Sequence, residues 1–283
     1  MALSPLMHVM VQAARKAGRS LARDFGEVAN LQVSMKGPAN FVSAADIRAE
    51  EIVQAELSKA RPGYGFLMEE RGAIAGSDPT NRWIVDPLDG TTNFLHSIPL
   101  FAVSIGLERD GRLIAGVIYN PATDELFTAE KGKGAYLNDK RLRVAARRTL
   151  DTAVLATGIP HRGRPGQQRF KNEIDIVLDQ VAGLRRTGSA AIDLAWTAAG
   201  RFDAYWERNI KAWDMAAGIV MVREAGGIVT DLAGRPDMLT SGNVVAGNST
   251  MQKTVIGLIG DKAAGRGAKP AVAPAASETK TSA

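Results

Sequence analysis

The sequence predicts an α+β fold, with helices packed on an antiparallel sheet in the first half and a mixed α/β arrangement in the second. Three observations carry this prediction. Residues 4–24 and 44–59 have apolar side chains at helical spacing. The stretch FAVSIGLERDGRLIAGVIYN contains two strands joined by Asp110-Gly111, a strong hairpin signal. From about residue 150, strand and helix patterns alternate, as they do in α/β units.

The first half, residues 1–148, is expected to form one unit. Ser43 is placed to cap its second helix. Two short apolar runs each end in acidic residues, and the hairpin and one further run follow them. Strands are therefore expected at 64–68, 83–85, 101–108, 112–119 and 125–129.

The second half, residues 149–261, is expected to form a second unit. Its strands are predicted at 153–157, 202–206, 227–230 and 243–246. Its helices are predicted at 167–181, 190–199 and 213–224. The last stretch, residues 262–283, is rich in Ala, Pro, Gly, Ser and Thr and lacks periodicity, so it is predicted to be a disordered tail.

Composition narrows the class of protein. The chain has 283 residues and no cysteine, which excludes disulfides and thiolate metal sites. Its apolar N-terminal stretch lacks a basic leading region, and no apolar run approaches the roughly 20 residues of a membrane span. We therefore expect a cytoplasmic protein without a membrane anchor. The net charge of +5 fits a solvated basic face, an anionic substrate or nucleic acid.

The stretch WIVDPLDGTTNF, residues 83–94, is the most informative one. Asp86 and Asp89 follow a buried strand, and hard cations such as Mg²⁺ take carboxylate and carbonyl oxygens. The glycine and two threonines that come next can open a helix and offer free N–H groups to an anion. A plain turn is the alternative, because Pro-x-Asp-Gly is also turn chemistry.

Other acids stand where a regular element gives way to a loop or a helix start. The pair Glu69-Glu70 ends one strand, and Asp214 lies in the first turn of an apolar helix. Carboxylates that converge repel one another unless a cation neutralises them, so convergence would imply a metal. For Asp214 alone, an ordinary acid at a helix N-terminus is the alternative. The three histidines are scattered, and the chain has no P-loop, G-x-S-x-G or H-E-x-x-H motif.

Together these residues resemble a known family. WIVDPLDGTTNF, with MEE before it and RRTGSAA and WDMAAGIVMVREAGGIVTD after it, is similar to the inositol monophosphatase family, and most of all to its bacterial extragenic-suppressor type. The resemblance covers roughly residues 5–260. It implies a sugar-phosphatase fold with α-β-α-β-α layers. It also implies a lithium-sensitive enzyme that uses two or three Mg²⁺ ions and hydrolyses myo-inositol monophosphate by in-line attack of a metal-activated water.

The resemblance also assigns roles to individual residues. The metal ligands it implies are Glu69, Asp86, Leu88 through its carbonyl, Asp89 and Asp214. The catalytic residues it implies are Glu69, Asp86 and Thr91, with Glu70 just outside the ligand set. The substrate-binding residues it implies are Asp89, Gly90, Thr91, Thr92, Gly188, Ser189, Ala190, Glu207 and Asp214. Lys36 and Asp46 match a mobile loop that is associated with a third, weaker metal.

The metal motifs leave the substrate open. Similar enzymes cleave other small phosphomonoesters, namely 3′-phosphoadenosine 5′-phosphate, fructose 1,6-bisphosphate, histidinol phosphate or NADP. The basic charge also keeps open an additional RNA- or transcription-associated role, although no known RNA-binding motif is present. The resemblance further suggests a homodimer.

Overall fold

A computed structural model describes residues 3–27, 33–37, 40–161 and 163–261, with 33–37 and 40–42 described by their backbone alone. The predicted tail and the side chain of Lys36 lie outside the described residues. The helices are α1 Pro5–Phe25, α2 Ala44–Ala60, α3 Thr91–Leu95, α4 Gln167–Leu178, α5 Ala190–Ala198, α6 Ala212–Glu224, α7 Met238–Ser241 and α8 Ser249–Ile259. Every described helix is too short or too polar to cross a lipid bilayer.

The strands form a two-stranded, an eight-stranded and a five-stranded sheet. The strands up to residue 141 are β1 Val33–Gly37, β2 Asn40–Ser43, β3 Tyr64–Met68, β4 Gly72–Ile74, β5 Asp78–Asp89, β6 Ala102–Arg109, β7 Arg112–Asn120, β8 Glu125–Glu130, β9 Gly134–Leu137 and β10 Lys140–Arg141. The later strands are β11 Val154–Thr157, β12 Gly183–Arg185, β13 Ala204–Glu207, β14 Ile228–Thr230 and β15 Val244–Gly247.

The large sheet has the order β10-β9-β8-β7-β6-β5-β3-β4 and is antiparallel except where β3 pairs with β5 in parallel. The smaller sheet, β12-β11-β13-β15-β14, combines parallel and antiparallel pairs. The antiparallel hairpin of β6 and β7 turns at Asp110 and Gly111, both with positive φ, as the sequence indicates. The predicted fold class is confirmed, and the division of the chain at residue 148 stays a prediction.

The molecule is built in five layers, α-β-α-β-α. Helices α1 and α2 cover one face of the large sheet through a core that includes Met10, Leu21 and Trp83. Helices α5 and α6 lie between the two sheets and pack against both of them. Helices α4 and α8 cover the outer face of the small sheet. This layering agrees with the one that the family resemblance implies.

The short strands β1, β2, β4, β9, β10 and β12 and the short helix α7 were not predicted, and two larger differences concern β5 and α8. The strand predicted at 83–85 begins at Asp78 and continues to Asp89, so DPLD lies inside β5 rather than in a turn after it. Asp86 pairs with Ser104 and Asp89 with Ala102, which leaves one extra residue on β5 and marks a bulge. Helix α8 was not predicted, although Asn248 caps it and its buried Met251, Val255 and Ile259 recur every four residues.

Helix α6 approaches the large sheet closely because glycines lie under it. A Cβ at Gly116 on β7 would lie 2.6 Å from the carbonyl oxygen of Ala217, and one at Gly106 on β6 would lie 2.9 Å from the Ala216 Cβ. At these two positions α6 therefore packs directly on the backbone of the sheet, with no side chain of the sheet between them. This contact fixes the start of α6, and with it Asp214, beside the end of β5.

We expect Gly116→Ala to lower the free energy of unfolding by about 1–3 kcal/mol, because the new methyl group must push α6 away from β7. The matched control is Gly257→Ala in α8, where a Cβ meets nothing within 4 Å. That change should raise the free energy by about 0.5–1 kcal/mol, since alanine is the better helix former. Urea unfolding without divalent cations measures both, and equal effects would contradict the close approach.

Candidate metal centre

The bulge in β5 places two carboxylates at the edge of a cleft. Asp86 is buried, and its Oδ1 accepts the backbone N–H of Leu88 at 2.9 Å. The strand then returns to pairing at Asp89, three residues further on. The extra residue in this stretch is what allows Asp86 and Asp89 to reach the same site, where strict alternation would send them to opposite faces.

Two helix starts complete the group. The Oδ2 atom of Asp89 accepts the Ser189 hydroxyl at 2.6 Å and the Ala191 N–H at 2.7 Å, both at the start of α5. Asp214 lies in the first turn of α6, and its Oδ2 accepts the Lys211 N–H at 2.7 Å. Each acid is held by backbone or hydroxyl donors that leave part of its carboxylate available.

The three carboxylates converge. Asp86, Asp89 and Asp214 each offer an oxygen, and these oxygens lie within 4.8 Å of one another. Burial, and then the charges of Glu69, Asp89 and Asp214, raise the pKa of Asp86 well above its ordinary value. Burial and the charge of Asp214 raise the pKa of Asp89 well above its ordinary value. Such a group has the donors and the excess negative charge that a hard cation needs.

Glu69 lines the same cleft, directly after β3. Its backbone N–H donates to the carbonyl of Val85 at 3.3 Å, which aligns it with β5. The backbone N–H of Glu70 donates to the buried carboxylate of Glu50 on α2 at 2.9 Å. The geometry thus separates the two glutamates of the pair, with Glu69 at the cleft wall.

The Gly-Thr-Thr sequence opens the short helix α3, as predicted. Gly90 has φ 96°, and a Cβ there would lie 2.9 Å from the Leu100 carbonyl oxygen, so only glycine fits. The Thr91 hydroxyl lies 3.1 Å from the Leu88 carbonyl oxygen and 3.1 Å from Oδ1 of Asp46. Gly90, Thr91 and Thr92 all line the cleft beside the carboxylates.

Asp46 is joined to this site through Thr91. Its other oxygen, Oδ2, accepts the N–H of Ser43 at 2.8 Å and the Ser43 hydroxyl at 2.6 Å, which caps α2. Burial raises the pKa of Asp46, although its hydrogen bonds oppose the change. The sequence marked Asp46 for a third metal. That role stays a prediction, and the structure adds the bond to Thr91.

The opposite wall of the cleft contains the other predicted substrate residues, Gly188, Ser189, Ala190 and Glu207. Glu207 ends β13 and accepts the hydroxyl of the fully buried Tyr205. Burial raises the pKa of Glu207 to about 7, with the charge of Asp214 adding to the rise. Gly158 makes room for this side chain, because a Cβ there would overlap its carboxylate.

Sequence reasoning missed several residues of the cleft, which has a volume of about 160 Å³. They are Gly158, Ile159, His161, Arg164, Arg186, Asp193 and Ile210. The basic clusters around Arg164 and Arg186 were visible in the sequence, but nothing local indicated that both face one cleft. Both arginines act on Glu207, since their charges lower its pKa against the effect of burial.

The chain is similar to known proteins over almost its whole length. Residues 2–263 match the model of the inositol monophosphatase family. An inositol-1-monophosphatase of Mesorhizobium japonicum is 63% identical over 90% of this chain and 96% of its own length. The Nus factor SuhB of Escherichia coli is 41% identical over 92% of this chain and 97% of its own length.

The solved structure of the extragenic suppressor protein suhB from Bartonella henselae superposes with a TM-score of 0.89 at 59% identity. It covers 90% of this chain and 98% of that one. The family model and the identity to these relatives therefore show that the chain belongs to the inositol monophosphatase family of phosphatases.

Proposed function

We propose that the protein is a Mg²⁺-dependent phosphomonoesterase that hydrolyses myo-inositol monophosphate, or a close sugar or polyol phosphate, to the free polyol and phosphate. The observation that carries the proposal is the convergence of Asp86, Asp89 and Asp214 beside Gly90 and Thr91 in one cleft. Carboxylates that hold a cation beside donors that hold an anion suit phosphate chemistry. The name of the Mesorhizobium relative supports the inositol substrate.

The donor set fits a hard divalent cation. All candidate ligands are oxygens, from Glu69, Asp86, Asp89, Asp214 and the Leu88 carbonyl. Among the described residues, no lysine or arginine forms an ion pair with the three converging aspartates. Mg²⁺ bound there would supply a water of lowered pKa and neutralise charge on the phosphoryl oxygens. Five oxygen groups suit two ions, and a third ion near Asp46 belongs to the same proposal.

The residues of the chain divide the remaining work. Thr91 would orient the attacking water through its hydroxyl oxygen, because its proton is directed to Asp46 or to the Leu88 carbonyl. Glu69 would take up the proton of that water. Gly90 and Thr92 would hold the phosphate, and Glu207 would accept hydrogen bonds from the hydroxyls of the polyol.

We expect Thr91→Val to lower kcat by about 10²- to 10³-fold, because valine keeps the shape of threonine but cannot orient the water. Thr91→Ser keeps the hydroxyl and should stay within about tenfold of the wild type. Phosphate release at saturating Mg²⁺ and substrate measures both variants. If valine and serine had equal effects, the hydroxyl would have no part in the reaction.

The proposed function is tested by phosphate release from D-myo-inositol 1-phosphate with Mg²⁺, with EDTA and with added Li⁺. We expect release with Mg²⁺, loss of release with EDTA, and inhibition by Li⁺. If the protein binds Mg²⁺ but releases no phosphate, the metal-site assignment stands, and the substrate is one of the other phosphomonoesters. A panel with adenosine 3′,5′-bisphosphate, fructose 1,6-bisphosphate, histidinol phosphate and NADP then identifies the substrate.

A role in transcription is the second candidate function. Two observations favour it, namely the 41% identity to the Escherichia coli Nus factor SuhB and the net charge of +5. RNA binding that persists at physiological salt would support it, while binding that is lost there would indicate general attraction of anions. We also propose that the protein is cytoplasmic, which fits its lack of cysteine. We further propose that it forms a homodimer, which fits its family membership and which light scattering can test.

A further inference from the structure

A chain of hydrogen bonds lies behind the metal carboxylates and joins Asp193 on α5 to Asp89. The Thr187 hydroxyl donates to Oδ1 of Asp193 at 2.8 Å and accepts the N–H of Ser189 at 3.3 Å. The Ser189 hydroxyl in turn donates to Oδ2 of Asp89 at 2.6 Å. Three short links therefore connect a carboxyl that no proposed step uses to a proposed metal ligand.

Asp193 lies where a carboxyl is costly. Asp193 is 1% exposed, and Thr187 and Ser189 are also buried. A buried carboxyl costs free energy unless its partners compensate it, and an apolar side chain of similar size would fill this position at lower cost. Stability of the fold therefore does not account for an acid here.

The turn formed by Thr187, Gly188 and Ser189 is held by Asn93 as well as by Asp193. The side-chain amide of Asn93 donates to the Thr187 carbonyl at 2.8 Å and to the Leu100 carbonyl at 2.7 Å. Gly188 has φ 91°, and a Cβ there would lie 2.9 Å from the Asn93 amide nitrogen. The Thr187 backbone is thus held by Asn93, and its side chain by Asp193.

The effect of this turn falls on one oxygen of Asp89. Both the Ser189 hydroxyl and the Ala191 N–H bind Oδ2, so Oδ1 is the oxygen left for a cation. Without Asp193, the Thr187 hydroxyl has the Ser189 carbonyl, 3.2 Å away, as its alternative acceptor. If the Thr187 hydroxyl donated to this carbonyl, it would displace Ser189, the residue that orients Asp89.

We propose that Asp193 is a positioning residue that sets the orientation of the Asp89 carboxylate through Thr187 and Ser189, and thereby the cation affinity of the site. The inference rests on the proposed function, because it requires Asp89 to bind a cation. Groups that hydrogen-bond a metal ligand typically change metal affinity by about 10- to 100-fold when they are removed, and Asp193 acts on Asp89 through such a group, the Ser189 hydroxyl.

The test is a titration of the metal-free protein with Mn²⁺, a spectroscopic substitute for Mg²⁺, in which electron paramagnetic resonance follows the free ion without substrate. Asp193→Ala and the isosteric Thr187→Val should each raise the Mn²⁺ dissociation constant about tenfold or more. Asp193→Asn keeps an acceptor oxygen and Thr187→Ser keeps the hydroxyl, so both should stay within about threefold of the wild type.

The matched control is Thr197→Val on the same helix. Thr197 is buried, and its hydroxyl donates to the backbone carbonyl of Asp193 at 2.8 Å, outside the chain of bonds to Asp89. This variant should lose stability in EDTA, as Thr187→Val does, but bind Mn²⁺ like the wild type. A purely structural role for Asp193 would instead give parallel losses of stability and no separate change in Mn²⁺ affinity.

The outcomes separate the two proposals. If the wild type binds no Mn²⁺, the proposed function fails and this inference fails with it. If the wild type binds Mn²⁺ and Thr187→Val binds it equally well, only the inference is overturned. Thr187→Val also decides the matter if Asp193→Ala does not fold, since it alters a single hydroxyl group.

Discussion

Asp89→Asn lowers kcat by at least about 10³-fold, which corresponds to about 4 kcal/mol of transition-state stabilisation, while the protein stays folded. The amide removes one charge from the group formed with Asp86 and Asp214 and weakens a hard-cation ligand. It still accepts the Ser189 hydroxyl and the Ala191 N–H, so the start of α5 keeps its anchor. The metal-free variant should also be more stable than the metal-free wild type, because the negative charges of Asp86 and Asp214 are no longer repelled by a third charge at residue 89.

Phosphate release and urea unfolding in EDTA measure the two effects of this substitution. Asp175→Asn, an exposed acid on α4, makes the same chemical change away from the cleft and should leave both quantities unaltered. Retention of most activity by Asp89→Asn would contradict its assignment as a metal ligand. A large loss of stability would instead indicate that Asp89 serves the fold.

Metal-free wild-type protein loses stability as the pH rises from about 4.5 through about 7, and Glu207 accounts for a defined part of that loss. Burial raises the pKa of Glu207 from its ordinary value of 4.5 to about 7, so between these values the unfolded chain binds fewer protons than the folded one. The contribution of Glu207 to stability is therefore fully present below pH 4.5 and is lost as the pH rises through about 7. At about 1.4 kcal/mol per pH unit, the rise in the Glu207 pKa lowers the free energy of unfolding at pH 8 by about 3 kcal/mol.

Glu207→Gln should remove this part of the pH dependence, because glutamine accepts the Tyr205 hydroxyl without acquiring a charge. Urea unfolding in EDTA at pH 5 and pH 8 measures it, with the exposed Glu27→Gln as the control that keeps the wild-type difference. Asp214 raises the same pKa, while Arg164 and Arg186 lower it, so variants at those positions should alter the slope in opposite directions. An unchanged slope in Glu207→Gln would contradict a strongly raised pKa.

Local signals predicted most of the fold. Helices α1 and α2 and the hairpin of β6 and β7 lie within one or two residues of their predicted bounds, because periodicity and turn chemistry are properties of short stretches. The extension of β5 to Asp78 was missed, since its first residues are DPTNR, a polar run with a proline. These residues are strand because β3 and β6 lie on either side of them.

The candidate site was predicted in part for a different reason. Its carboxylates lie in the last residues of a strand, directly after one, or in the first turn of a helix, and the family resemblance placed them together. The contacts that orient them were outside the reach of any short pattern. Ser189 bonds to a side chain 100 positions earlier, and Asp46 to one 45 positions later. Serine at a helix start and aspartate in a first turn read as ordinary caps, which these residues also are.

The placement of Asp214 on α6 has a consequence for the order of events during synthesis. Asp214 is made 125 residues after Asp89 (214 − 89 = 125), which takes about 6–25 s at roughly 5–20 residues per second. In that interval α1 and α2 can already cover one face of the large sheet, but α6, which packs on its other face, has not been made. A nascent chain therefore holds two of the three converging carboxylates without the third, and we expect tight cation binding only once α6 has docked.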